Sequence, residues 1–140
     1  MKKLVIIPTY NEMENIASII EIVVGFAAEY DVLVVDDGSP YGTAEIVEGL
    51  IPKHFGRIFI EKRACKLGLG TAYIHGFLWA LKKNYDLIFE MDADFSHSPY
   101  DLDRLAEACI NGAVYGAGQS FCPERLAEIW QASYSGRSRK

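Results

Sequence analysis

The chain has 140 residues, of which 50% are hydrophobic, and its formal net charge at pH 7 is −5. This length is typical of one globular domain with its own core, and the hydrophobic content argues against a disordered chain. Acidic and basic residues are interspersed, so the sequence predicts no basic face and excludes nucleic acid as a partner. An acidic protein that binds a phosphorylated ligand needs a metal ion or local hydrogen-bond donors to offset the charge.

The cysteines and the hydrophobic runs indicate the compartment. The three cysteines form no close pair and have no metal-ligand spacing, which is typical of a reducing environment. The apolar run at residues 4–7 is too short for the hydrophobic region of a signal peptide. No segment approaches the roughly 20 apolar residues that cross a bilayer. We therefore expect a cytoplasmic protein that is at most peripheral to the cytoplasmic face of a membrane.

Short apolar runs alternate along the chain with segments of helical periodicity. The runs predict strands at residues 4–7, 32–35, 58–60 and 87–91. Apolar spacing predicts helices in the segments 16–27, 44–51, 72–81 and 99–110. Asn11 and Glu14 have the spacing of a capping box for the first helix. Ser39 followed by Pro40 is typical of the cap and first turn of the second helix.

This order predicts an α/β fold, a three-layer α/β/α arrangement with a mostly parallel sheet and right-handed crossovers. Open sheets of this kind bind ligands beyond the carboxyl ends of their strands. The polar clusters of the sequence fall at those ends, at residues 9–12, 36–39, 63–70 and 92–97. Their shared location is the main functional signal in the sequence.

Asp92 and Asp94 come directly after the fourth predicted strand. Hard cations such as Mg²⁺ bind carboxylate oxygens together with water and substrate phosphates. Two carboxylates beside a diphosphate would repel it unless a cation lay between them, so the pair predicts a site for Mg²⁺ or Mn²⁺. The alternative is a solvated acidic turn in which one aspartate caps the next helix.

The polar residues after the first two strands are candidates for nucleoside contacts. Asp36 and Asp37 can accept hydrogen bonds from a base or a ribose, although a turn would also explain one of them. Tyr10 and Glu12 are candidates for contacts to base and ribose, whereas Asn11 is explained as a helix cap.

The segment 63–70 precedes the third helix and combines Lys66 with Gly68. Cations and glycines ahead of a helix N-terminus suit a phosphate group. The glycine spacing is not the dinucleotide fingerprint, since Tyr73 stands where a third glycine is needed. The alternative is a glycine-containing loop with solvated basic side chains.

Taken together, these motifs resemble the inverting glycosyltransferases of family 2, which have the GT-A fold, and within them the dolichol- or polyprenol-phosphate mannose synthases. The resemblance covers about residues 3–110 in the correct order. The segments that carry it are Ile7-Pro8-Thr9-Tyr10-Asn11-Glu12, Val34-Val35-Asp36-Asp37-Gly38-Ser39-Pro40, Gly42-Thr43-Ala44, Lys66-Leu67-Gly68-Leu69-Gly70-Thr71-Ala72 and Met91-Asp92-Ala93-Asp94-Phe95-Ser96-His97-Ser98-Pro99.

The resemblance implies a donor site and a reaction. Asp92 and Asp94 would be the catalytic and metal-binding residues. Mannose would move from GDP-mannose to a polyprenyl phosphate. The residues that the resemblance and the motifs assign to the nucleotide sugar are Pro8, Tyr10, Glu12, Asp36, Asp37, Lys66, Gly68 and Asp92. The alternatives are a family 2 transferase with a UDP-sugar and a hydroxyl acceptor, and a binding module without catalytic activity.

The C-terminal segment departs from the pattern of the resembled family. Residues 1–112 are predicted to form a nucleotide-sugar-binding GT-A half-domain. Residues 113–140 are predicted to be an atypical, poorly ordered tail, and the basic end of that tail is the predicted membrane contact. A hypothesis for this departure is truncation, or a frameshift within residues 113–118, which sequencing of the gene would test.

Overall fold

The structure is a computed structural model that describes residues 1–40 and 42–111 together with the backbone of residues 120–121. The four parallel strands are β1 (Lys3–Thr9), β2 (Tyr30–Asp36), β3 (Ile58–Lys62) and β4 (Leu87–Glu90). The strand β5 (Ser120–Phe121) pairs antiparallel with β4. The order of these strands in the sheet is β3-β2-β1-β4-β5.

Helices alternate with the strands along the chain. They are α1 (Ile16–Val24), α2 (Thr43–Leu50), α3 (Leu69–Lys82) and α4 (Leu102–Ile110). Short 3₁₀ helices follow α2 at Ile51–His54 and precede α4 at Pro99–Asp101. This alternation confirms the predicted α/β architecture with a mostly parallel sheet.

The parallel strands are apolar on both sides because helices cover both faces of the sheet. Alternate side chains of β1 enter two separate cores. Val5 and Ile7 pack with residues of α1, α2 and α4, whereas Leu4 and Ile6 pack with residues of α3. All four side chains are fully buried.

The helix α3 packs closely against the centre of the sheet. A Cβ atom added at Gly76 would lie 2.7 Å from Cγ2 of Ile6, so only glycine permits this approach without displacement of the helix or the strand. The position of α3 relative to β1 is therefore closely determined.

The two predicted helix caps are wrong. The helix α1 begins at Ile16 after Asn15, and Asn11 adopts a left-handed conformation with φ of 55°. The amide N–H of Asn11 donates to Oγ of Ser39 at 2.9 Å. The helix α2 begins at Thr43 after Gly42. The polar groups of both segments bond across the carboxyl end of the sheet, and each helix starts where its side chains reach the core.

Several other observations bear on the sequence predictions. The described helices include none that is long and apolar enough to cross a membrane. The predicted tail, residues 113–140, lies outside the described residues, apart from the two backbone positions of β5. Its poor order and the membrane contact of its basic end therefore stay predictions.

Candidate functional site

A cleft of about 310 Å³ lies beyond the carboxyl ends of the parallel strands. The chain leaves β1 toward β2 on one side and reaches β4 on the other, so the connections diverge between β1 and β4. Such a divergence leaves a crevice in which ligands bind. The residues that line the cleft are Pro8, Thr9, Tyr10, Glu12, Asp37, Lys66, Gly68, Leu69, Ala72, Asp92, Ala93 and Asp94.

The cleft brings together nearly all of the predicted site residues. Those that line it are Pro8, Tyr10, Glu12, Asp37, Lys66, Gly68, Asp92 and Asp94. Asp36 does not line it. The predicted residues that line the cleft follow four different strands, and the parallel sheet places the ends of these strands at one edge.

The two aspartates after β4 are held differently. Oδ1 of Asp92 accepts a hydrogen bond of 2.8 Å from the Tyr73 hydroxyl, and its Oδ2 lies 3.4 Å from Oγ of Ser96. Oδ1 of Asp94 accepts the amide N–H of Ser96 at 2.9 Å. Hydrogen bonds from Ser96 lower the pKa of Asp94, which is exposed, so its carboxylate is ionised at neutral pH.

Two glutamates add negative charge around this pair. Burial raises the pKa of Glu12, and the nearby charges of Asp94 and Asp92 raise it further. Burial, followed by the charge of Asp92, raises the pKa of Glu90 to about 7. Each shift means that the local environment disfavours a further negative charge, which a cation in the cleft would relieve.

The donor set fits a hard divalent cation. Asp92 and Asp94 offer carboxylate oxygens, the ligand type that Mg²⁺ and Mn²⁺ take in proteins. Among the described residues, no group of three histidine, cysteine, aspartate or glutamate side chains is arranged to hold a metal ion. An ion at this pair would complete its coordination with water and ligand phosphates, as Mg²⁺ commonly does.

Asp36 lies beneath the cleft with only 2% of its surface exposed. Its Oδ1 accepts hydrogen bonds from Oγ1 of Thr9 at 2.7 Å and from Oγ of Ser39 at 2.6 Å. Its Oδ2 accepts the amide N–H of Ser39 at 3.1 Å. These contacts join the ends of β1 and β2, and a nucleoside contact by Asp36 stays a prediction.

Asp37 lines the cleft but is paired with Arg63. The guanidinium donates from Nε to Oδ1 at 2.6 Å and from Nη2 to Oδ2 at 2.8 Å. It also donates to Oγ1 of Thr71 at 3.1 Å and to the carbonyl oxygen of Gly68 at 3.3 Å. Arg63 therefore holds the loop before α3 against the end of β2.

Lys66 and Tyr10 contact each other at the lining of the cleft. Nζ of Lys66 lies 4.7 Å from the centroid of the Tyr10 ring, a cation–π contact. Gly68 has φ of 104°, which favours glycine at the turn into α3. This arrangement places one positive charge beside the carboxylates, within reach of an anionic ligand.

Sequence reasoning missed two kinds of residue that contribute to the site. Thr9, Leu69 and Ala72 line the cleft. Tyr73 and Ser96 bond to the aspartates from outside it. Their proximity to the predicted motifs was the only available signal, because residues without a charge or an unusual backbone show no distinctive pattern in one sequence.

Comparison with known proteins identifies the family. The family model described as Glycosyl transferase family 2 matches residues 4–137. The polyprenol monophosphomannose synthase of Mycolicibacterium smegmatis is 42% identical over 129 residues, covering 92% of this chain and 49% of that protein. The undecaprenyl-phosphate mannosyltransferase of Micrococcus luteus is 45% identical over 108 residues, covering 77% of this chain and 44% of that protein.

The chain thus spans about half the length of these curated relatives. The family match extends past residue 112 into the predicted tail, and the domain boundary stays a prediction.

A solved structure supports the fold assignment. The mannosyltransferase PcManGT from Pyrobaculum calidifontis, in complex with GDP-Man and Mn²⁺, superposes with a TM-score of 0.67 at 19% identity. The match covers 91% of this chain and 46% of that one. The predicted GT-A fold is confirmed, and the chain belongs to glycosyl transferase family 2.

Proposed function

We propose that this chain forms the donor-nucleotide half of a transferase that moves mannose from GDP-mannose to a polyprenyl phosphate, with the help of Mg²⁺ or Mn²⁺. The observation that carries the proposal is the cleft beyond the ends of β1 and β4, which Asp92 and Asp94 line together with Tyr10, Glu12 and Lys66. The names of two relatives that are more than 40% identical support mannose and a polyprenyl phosphate.

The negative charge of the cleft supports a requirement for a metal ion. Asp92 and Asp94 would hold a divalent cation, with Glu12 close enough for its pKa to respond to both. When bound, the cation supplies positive charge that draws the donor diphosphate into the acidic cleft and stabilises it as a leaving group. Lys66 adds a protein cation at the cleft, where it can contact a phosphate.

The wall formed by β1 and β2 suits the nucleoside. Pro8, Tyr10 and Asp37 line this side of the cleft. Tyr10 is 38% exposed, and its ring offers a surface on which a base can stack. Arg63 holds the Asp37 carboxylate in place, which leaves its remaining lone pairs to accept hydrogen bonds from a base or a ribose.

A phosphate acceptor matches the chemistry of the cleft. The second pKa of a phosphate monoester lies near 6, so this nucleophile is largely ionised at neutral pH and requires no general base. A hydroxyl acceptor would require one. A lipid-linked acceptor also implies contact with a membrane surface, which we propose as peripheral and on the cytoplasmic side.

Isothermal titration calorimetry of the whole chain tests the proposal. GDP-mannose, GDP and UDP-glucose are titrated with and without Mn²⁺, and mannose transfer to polyprenyl phosphate in detergent is measured in parallel. We expect binding of GDP-mannose and GDP that depends on Mn²⁺ and is tighter than that of UDP-glucose.

Each other result contradicts a defined part of the proposal. Tighter binding of UDP-glucose would favour the alternative transferase with a hydroxyl acceptor. Metal-dependent GDP-mannose binding without transfer would leave a donor-binding half-domain that lacks its acceptor side. Loss of all nucleotide binding would leave only a non-catalytic remnant.

A further inference from the structure

Tyr73 is a buried tyrosine whose hydroxyl points to the acidic end of the cleft. It lies on α3, is 8% exposed, and donates to Oδ1 of Asp92 at 2.8 Å. It does not line the cleft, so a ligand there has no direct contact with its ring. Its influence on the site therefore passes through the Asp92 carboxylate.

The fold holds this hydroxyl in place. The side chain belongs to the core between α3 and the sheet, with Ala72, Ala80 and Ile88. Three residues further along α3, Gly76 sits against Ile6 so closely that no side chain fits between them. A movement of the helix relative to the strand would disturb this contact. The packing therefore holds the Tyr73 hydroxyl at a fixed distance from the Asp92 carboxylate.

The bond has a defined effect on the carboxylate. A phenol has a pKa near 10, so its O–H is a permanent donor at neutral pH. It occupies one lone pair of Oδ1 of Asp92, while Oδ2 lies toward the exposed Ser96 at 3.4 Å. Rotation of the carboxylate would break the Tyr73 bond, so the remaining lone pairs keep one direction.

We propose that Tyr73 is a positioning residue that orients Asp92 for a divalent cation shared with a nucleotide diphosphate. This inference rests on the proposed function. Groups that orient a metal-binding carboxylate through a hydrogen bond typically change metal affinity about 10- to 100-fold when they are removed. The expected effect therefore falls on the metal-dependent part of nucleotide binding.

The chain offers a matched control. Tyr85 is 5% exposed, and its hydroxyl donates to Oδ2 of Asp31 at 2.7 Å. This pair lies at the amino ends of β2 and β4, the opposite end of the sheet from the cleft. Tyr73→Phe and Tyr85→Phe therefore each remove one buried tyrosine–carboxylate hydrogen bond and retain the ring.

The experiment measures Mn²⁺ binding by the whole chain in the presence of saturating GDP, followed by the electron paramagnetic resonance of free Mn²⁺. The thermal unfolding midpoint in EDTA is measured for each variant. We expect Tyr73→Phe to weaken Mn²⁺ binding at least about tenfold, while its thermal unfolding midpoint in EDTA stays close to that of Tyr85→Phe. Tyr85→Phe is expected to bind Mn²⁺ as the wild type does.

Three outcomes overturn the inference. Wild-type Mn²⁺ affinity in a folded Tyr73→Phe variant would overturn it and leave the proposed function intact. Equal weakening in both variants would show a general loss of stability. Absence of Mn²⁺ binding by the wild type would overturn the proposed function as well. If Tyr73→Phe does not fold, Tyr73→Met, which fills much of the same space without a hydrogen-bond donor, is used, and loss of Mn²⁺ binding relative to Tyr85→Phe remains the expected result.

Discussion

At the scale of single residues, the carboxylates in and around the cleft differ in the partners that offset their negative charge. Asp37 is paired with Arg63, Asp36 accepts hydrogen bonds from hydroxyl and amide groups, and Asp92 accepts one from Tyr73. Glu90 is partly buried and lies near the charge of Asp92, and these two effects raise its pKa to about 7. These differences lead to two predictions about stability.

The Arg63–Asp37 pair is expected to contribute strongly to folding. The two side chains are 9% and 7% exposed, so Arg63→Met would leave a buried carboxylate without its counter-charge. We expect the free energy of unfolding to fall by about 3–5 kcal/mol, measured by urea denaturation. Arg104→Met is the control because Arg104 is 74% exposed and pairs with Asp101 at 3.4 Å on the surface. A similar loss in both variants would contradict the prediction.

Glu90 is expected to make stability depend on pH. Because its pKa is raised from 4.5 to about 7, the folded state keeps a proton that the unfolded state releases between these values. In the wild type, the contribution of Glu90 to the free energy of unfolding therefore declines as the pH rises from about 4.5 to 7, and then levels off. Glu90→Gln removes this pH dependence. The amount by which its free energy of unfolding exceeds that of the wild type is therefore expected to be larger at pH 8 than at pH 5.

Urea denaturation in EDTA at the two pH values measures the effect of Glu90. The matched control is Glu107→Gln, at an exposed position of α4. If the difference between Glu90→Gln and the wild type is the same at both pH values, the assigned pKa shift of Glu90 is wrong.

At the scale of elements, α3 connects the core to the site. Its first turn lines the cleft through Leu69 and Ala72, its next residue bonds Asp92, and its middle packs on β1. Helical periodicity predicted this helix correctly. The close contact at Gly76 depends on the distance between the helix and the sheet, which periodicity does not report.

Gly76→Ala tests this packing. The added Cβ would lie 2.7 Å from the buried Ile6 side chain, and a β-branched residue has little freedom to move away. We expect a loss of about 1–3 kcal/mol in the free energy of unfolding. Gly70→Ala, in the first turn of the same helix with open space around it, is expected to be neutral or stabilising by up to about 1 kcal/mol. Equal effects at the two glycines would count against the close contact.

At the scale of the whole molecule, the sheet order brings the site together. Segments that end β1 and β4 are far apart in the chain but adjacent in the sheet, through the pairs Lys3–Leu87 to Ile6–Glu90. A ligand in the cleft would contact both sides of this junction and the loop before α3. Binding is therefore expected to stabilise the folded chain as a unit.

Thermal unfolding checks this coupling. Mn²⁺ with GDP-mannose at about 100 times the dissociation constant is expected to stabilise the chain by about 2.7 kcal/mol and to raise the unfolding midpoint. Neither component alone should give the same rise, because the carboxylates repel a diphosphate without metal. Added EDTA should return the midpoint to that of GDP-mannose alone; a midpoint insensitive to EDTA would contradict metal dependence.

Much of the fold followed from local patterns. Short apolar runs indicated β1 to β4, and helical spacing indicated α1 to α4, because both patterns depend on which faces of nearby residues are buried. Helix starts were less accurate. Asn11 and Ser39 resemble caps in one dimension, yet they bond each other across 28 positions of the chain. A cap is assigned from neighbouring residues, and a competing distant partner leaves no trace in them.

The sequence by itself determined the family, the order of strands and helices, and the set of polar segments that meet at one edge of the sheet. Only the tertiary structure decided the partners of the carboxylates. Arg63 reaches Asp37 across 26 positions and Tyr73 reaches Asp92 across 19. These contacts depend on the spacing between strands and on how closely α3 approaches the sheet, and both are results of packing that local sequence periodicity does not contain.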